Sequence, residues 1–96
     1  MAVQKTECWN LSLAAGNVAM PAISQANQRR LISVTCAFGM AVVRYSVSRG
    51  DVAAAQSVWP RLPAAGQWFW TLEPGEGLWF KADVATEVGG SIKDVP

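Results

Sequence analysis

Apolar and polar residues alternate with a period of two through most of the chain, in runs too short for helices. The clearest run is Ala41 to Ser48, where Val43, Tyr45 and Val47 point one way and Val42, Arg44, Ser46 and Ser48 the other. Arg30 to Cys36 sets Ile32, Val34 and Cys36 against Leu31, Ser33 and Thr35, and Cys8 to Leu13 sets Trp9, Leu11 and Leu13 against Cys8, Asn10 and Ser12. Val18 to Ile23 is less regular, and Pro21 makes it an edge or a bulge. Gln67 to Leu72 is apolar on both faces, with Trp68, Trp70 and Leu72 opposite Phe69. Leu78 to Ala82 follows, with Leu78, Phe80 and Ala82 opposite Trp79 and Lys81. A short strand over Gln56 to Trp59 and a weak edge strand over Ser91 to Val95 complete the set. Asp51 to Val58 also reads as a short helix capped by Asp51.

Turn signals separate these runs at Gly16-Asn17, Gly39, Arg49-Gly50-Asp51, Pro60 to Gly66, Pro74 to Gly77 and Gly89-Gly90. Gly39 predicts a hairpin between the third and fourth runs, and Pro74 to Gly77 a second one between Gln67 to Leu72 and Leu78 to Ala82. The expectation is an all-β, single-domain antiparallel β-sandwich, jelly-roll-like, of about eight short strands.

Composition removes several chemistries. The chain of 96 residues contains no histidine, which deletes the commonest general base and most zinc sites. Its two cysteines, Cys8 and Cys36, have neither metal-ligand nor redox-motif spacing and read as free thiols of a reduced compartment. Eight Lys and Arg against seven Asp and Glu leave a net charge of +1, without the basic surplus that nucleic acid requires. The longest apolar run, Leu31 to Val43, is short of the roughly twenty residues of a spanning helix, and Met1 to Gly16 lacks the pattern of a secretory signal. The expectation is a soluble protein with no catalytic residues, no cofactor, no metal, and neither nucleic acid nor membrane as partner.

Five Trp, three Phe and one Tyr are many for so small a fold, and only 16% of residues are charged. Trp68, Phe69, Trp70, Trp79 and Phe80 put aromatic rings on both faces of one predicted hairpin. One set fills the core, and the other is further core, a protein interface or a sugar-stacking platform. Trp68, Trp70 and Trp79 are the expected aromatic centre, with Phe69 beside them. Arg29 and Arg30 form a solvated pair at a strand start, and with Arg44 they are the candidate charged contacts to a neighbouring subunit. Glu73 and Glu76 lie in a turn and read as solvated carboxylates, not a glycosidase pair. Arg49-Gly50-Asp51 is explained by its turn, and Gly75-x-Gly77 is too short to cradle phosphate.

Three stretches resemble small virion structural proteins of tailed bacteriophages. They are Asn27-Gln28-Arg29-Arg30-Leu31-Ile32, Leu62-Pro63-Ala64-Ala65-Gly66-Gln67-Trp68 and Gly77-Leu78-Trp79-Phe80-Lys81-Ala82. The resemblance implies a capsid decoration or cement protein, or a tail- or fibre-associated one, with a β-sandwich or jelly-roll fold and no enzymatic activity. It further implies binding to the major capsid protein and to copies of itself, as a homotrimer or other symmetric cluster. Its location would be the capsid surface of the virion, after synthesis in the bacterial cytoplasm. Residues 1–7 would be an N-terminal arm and residues 8–96 the sandwich. The alternative is a carbohydrate- or receptor-binding module of a phage tail or fibre. The near-neutral charge departs from the acidic character common in that group.

Overall fold

The computed structural model describes residues 6–49 and 59–95. They form seven strands: β1 (Thr6–Leu13), β2 (Met20–Ile23), β3 (Arg30–Ala37), β4 (Val43–Ser48), β5 (Ala65–Leu72), β6 (Gly77–Ala82) and β7 (Thr86–Asp94). A four-stranded sheet has the order β1-β7-β3-β5 and a three-stranded sheet the order β2-β6-β4, with every pairing antiparallel.

The strands alternate between the sheets along the whole chain. Odd-numbered strands form the larger sheet and even-numbered ones the smaller, so consecutive strands lie in opposite layers. This is the strand order of a jelly roll. Among the described residues the place of the eighth strand of that pattern is taken by a short extended segment beside β4. There Tyr45 N donates to Pro60 O at 3.0 Å, Leu62 N donates to Val43 O at 2.8 Å, and Arg44 and Arg61 form an isolated bridge.

Both expected hairpins are therefore corrected. β3 pairs with β5 and β7, while β4 pairs with β6 in the other sheet; β5 and β6 are likewise parted. Gly39, at φ +61°, and Gly75, at φ +89°, do turn the chain, but they turn it between layers. A turn residue reports a change of direction and says nothing of which strand receives the hydrogen bonds. The last strand is also corrected. β7 starts at Thr86 and lies between β1 and β3 as an interior strand, not at an edge. Gly89 and Gly90 sit inside it instead of forming a turn, because the neighbouring backbones leave no room for a side chain. A Cβ on Gly89 would meet the carbonyl oxygen of Trp9, and one on Gly90 would run into the backbone of Ser33.

The alternation in β3 and β6 builds the core. Ile32, Val34 and Cys36 from β3 meet Leu78, Phe80 and Ala82 from β6, with Leu13, Val88, Leu72, Val43 and Leu62 closing the sides. Each large side chain buried in this way contributes about 1.5–3 kcal/mol. Trp9 stacks on Phe80, with ring centroids 5.7 Å apart and planes within 9°. β2 carries a register shift between Pro21 and Ile23 and lies at a sheet edge, as Pro21 requires. β1 begins at Thr6 and so takes two residues of the expected arm; the rest of the arm, and the helix-or-strand question at Asp51 to Val58, lie outside the described residues.

Two charged residues fasten opposite ends of the sandwich. Arg30 donates to the carbonyl oxygens of Ser24 (2.8 Å), Glu76 (2.9 Å) and Gln28 (3.3 Å), tying the β2–β3 and β5–β6 crossings together. At the other end Asp83 Oδ1 accepts from Val42 N at 2.7 Å and Val84 N at 2.8 Å, joining the β3–β4 and β6–β7 crossings.

Candidate functional site

β5 and β4 lie at the same side of the two layers, and their inward aromatic rings meet in the gap. Period-two alternation puts Trp68 and Trp70 on the inner face of β5 and Tyr45 on the inner face of β4. The Tyr45 ring lies 4.6 Å from that of Trp68 and 5.8 Å from that of Trp70, centroid to centroid. The two indoles are 5.4 Å apart with planes within 11°, stacked one on the other. Phe69 points away from the sandwich, on the outer face of the larger sheet, and is 59% exposed; Trp70 is 39% exposed.

Of the predicted aromatic centre, the structure brings Trp68 and Trp70 together, with Phe69 between them on the opposite face. Trp79 is elsewhere. It sits on the outer face of the smaller sheet, opposite Ser46 in register. Tyr45 was missed as a member of the cluster, although the alternation of β4 did place it inward; the missing fact was that β4 faces β5 across the layers.

The arginines divide. Arg29 is solvated, with its guanidinium 3.1 Å from Glu73 in an exposed ion pair. Arg30 departs from the expected solvated pair: it is 6% exposed and held by backbone carbonyls within its own chain. It opens β3 on the inward face, which directs the guanidinium at the loop ends. Burial lowers its pKa, with Asp94 acting in the opposite sense. Arg44 is on the outer face of β4 and donates to Trp59 O at 3.0 Å. Ser46 and Ser48, which alternation sets on the face opposite Val43 and Tyr45, point out of the sandwich yet are buried. Trp59 lies over this face with Lys81 Nζ 4.6 Å from its ring centroid.

Glu73 and Glu76 act on their own turn. Glu76 Oε1 accepts from Glu73 N at 2.8 Å, and Glu76 N donates to Glu73 O at 3.0 Å. Cys8 is exposed and Cys36 buried, both as free thiols, and burial pushes the Cys36 thiol up. Among the described residues no cluster of His, Cys, Asp and Glu could hold a metal ion, and no helix is long and apolar enough to cross a membrane. A depression of about 190 Å³ on the outer face of the larger sheet is lined by Thr6, Leu31, Ser33, Phe69, Ser91 and Lys93. Small-molecule sites are usually about 300–1,000 Å³. Its central hydroxyls, Ser33 and Ser91, already bond each other at 2.6 Å.

The fold defines the chain as an all-β protein of two antiparallel sheets in jelly-roll order. Comparison with known proteins finds no matching family model, no matching curated protein and no matching solved structure.

Proposed function

We propose that this is a non-enzymatic structural protein of a bacteriophage virion, a decoration protein that binds the major capsid protein lattice and stabilises it as a symmetric oligomer. The observation that carries this reading is β5. It is an uncharged edge strand with Phe69 and Trp70 open to solvent on opposite faces, a surface that a solitary soluble domain normally avoids. Jelly rolls recur in viral capsid and lectin domains, which supports the reading by analogy of fold alone. A clamp bound only to the assembled lattice stabilises it by mass action, and many copies add avidity.

The receptor-binding alternative asks for aromatic faces open to a sugar ring. Trp68 and Trp70 each cover one face of the other at 5.4 Å, which is too close for side-by-side coplanar indoles. That arrangement favours a protein partner. The test is co-sedimentation of the purified protein with shells assembled from the major capsid protein of its own virus. Saturable binding, with shells that resist heat or chaotrope better when decorated, is expected. Shells that bind none of it, or a glycan array showing micromolar sugar binding, would overturn the proposal.

A further inference from the structure

Four strands bound the two sheets, and three of them are guarded against pairing with another chain. β2 carries Pro21 and a break in register. The outer edge of β4 is taken by the extended segment 60–62, through Tyr45 N to Pro60 O and Leu62 N to Val43 O. β1 carries Glu7 on the same side of the strand as Trp9. Proline, bulges, charge and coverage are the ordinary protections of a sheet edge.

Among the described residues β5 has none of them. It runs for eight residues, Ala65–Leu72, without charge or proline. All eight are in unbroken register with β3 on one side, and among the described residues no strand lies on the other. Leu72 is its one buried residue.

The sequence of this strand is close to a palindrome: Gln67-Trp68-Phe69-Trp70-Thr71. We propose that β5 is a homotypic interface, pairing antiparallel with β5 of a second copy about a two-fold axis through Phe69. Phe69 then lies directly opposite Phe69 of the second copy. Trp68 lies opposite Trp70 of that copy, and the reverse, while Gln67 faces Thr71 as an amide–hydroxyl pair. Opposite residues in an antiparallel pair share a face, so the inward indoles of both copies fall on one side and the phenylalanines on the other. The indole stack of each chain thus continues into the next, and the two four-stranded sheets become one.

Other registers lose this match. Centring the axis on Trp68 sets Gly66 against Trp70, and centring it on Trp70 sets Leu72 against Trp68 and Phe69 against Thr71. Antiparallel pairs alternate between hydrogen-bonded and non-hydrogen-bonded positions, and both are compatible with a two-fold axis, so the Phe69 centre is allowed in either phase. Such an interface is isologous and closes at two copies, a symmetric cluster other than the homotrimer that the resemblance favours. The inference shares the open β5 edge with the virion reading and adds the sequence of that strand, but it does not require a virion.

The test uses cysteine cross-linking in the full chain carrying Cys8→Ser, which removes the exposed native thiol. Phe69→Cys places two thiols directly opposite, with Cα atoms about 4.5–5.5 Å apart and within reach of a disulfide. Mild oxidation is expected to give a covalent species of twice the 10.3 kDa chain mass. It should form at least about tenfold faster than with Thr35→Cys, an exposed outer-face position on interior strand β3. Gln67→Cys alone should cross-link no faster than that control, because its two copies would be about 13 Å apart along the strands, whereas mixed Gln67→Cys and Thr71→Cys chains should cross-link. Sedimentation gives the second measurement. The parent should associate reversibly into a dimer, and Phe69→Lys, which opposes two like charges on an exposed position, should be a folded monomer. A parent chain that stays monomeric up to about 0.1 mM, or Phe69→Cys that oxidises no faster than the Thr35→Cys control, overturns the inference. So does Gln67→Cys matching Phe69→Cys. Capsid binding by a parent chain that stays monomeric would leave capsid decoration standing, without its symmetric oligomer, while this inference fails.

Discussion

The Tyr45 ring lies 4.6 Å from the Trp68 ring, tilted by 50°, and the contact joins the edge strand of one sheet to the outer strand of the other. At this side of the sandwich the aliphatic core gives way to three rings, with Trp70 completing the group. Aromatic side chains bury large areas while freezing only two torsions each, and they tolerate a partly wet setting. They close the gap between the layers without needing full burial, which leaves part of each ring to meet whatever lies beyond β5.

The Tyr45–Trp68 contact should be measurable as a coupling. A double-mutant cycle with Tyr45→Ala and Trp68→Ala is expected to give about 0.5–1.5 kcal/mol of interaction in urea unfolding. Strictly additive effects would show that the rings are neighbours without stabilising each other.

Arg30 should matter far more than Arg29. Arg30→Met keeps the aliphatic stem but strips the donors from Ser24 O, Gln28 O and Glu76 O, at an expected cost of about 1–3 kcal/mol. Arg29→Ala removes an exposed ion pair with Glu73 and should cost about 0.5 kcal/mol or less. Equal losses for the two variants in denaturant melts would contradict this placement.

Asp83 should contribute a pH-dependent increment. Backbone N–H donors, first that of Val42, hold its carboxyl below the ordinary 3.8. A depressed folded-state pKa gives stability that is fully present above the unfolded value and fades as pH falls through the folded one. Asp83→Asn should therefore be less stable than the parent at neutral pH, with the difference shrinking as pH falls below the ordinary 3.8. A difference that is constant across that range in urea midpoints would exclude the carboxylate as its source.

Gly90→Ala should be among the most damaging small substitutions in the chain, because its Cβ would run into the Ser33 backbone of the adjacent strand. About 2 kcal/mol or more is expected from thermal or urea unfolding. Gly89→Ala, with its Cβ 2.9 Å from Trp9 O, should be milder. Wild-type stability in Gly90→Ala would mean that β7 does not lie between β1 and β3.

Strand content was legible in this sequence because period two is a local property: Ile32, Val34 and Cys36 on β3, and Val43 and Tyr45 on β4, fall on the faces their spacing dictates. Pairing was not legible. Gly39 and Gly75 announce turns whether the next strand joins the same sheet or crosses to the other, so two crossings read as hairpins. Gly89-Gly90 read as a turn because a requirement for no side chain looks the same in a turn as in a crowded strand. The same gap hid part of the candidate site. Trp68 and Trp70 share a face by spacing alone, but Tyr45 joins them only once β4 and β5 are stacked, and Trp79 drops away for the same reason. Arg30 could not be told from Arg29 without the loop carbonyls that converge on it.

The proposed function requires β5 to be covered by another protein chain in the native particle. Hydrogen–deuterium exchange of peptides spanning residues 65–72 tests this directly, comparing dilute free protein with protein bound to shells or recovered in virions. Strong protection of the β5 amides is expected in the particle, with interior β7 protected in both states. Fast exchange of β5 in the particle, unchanged from the dilute chain, would contradict it.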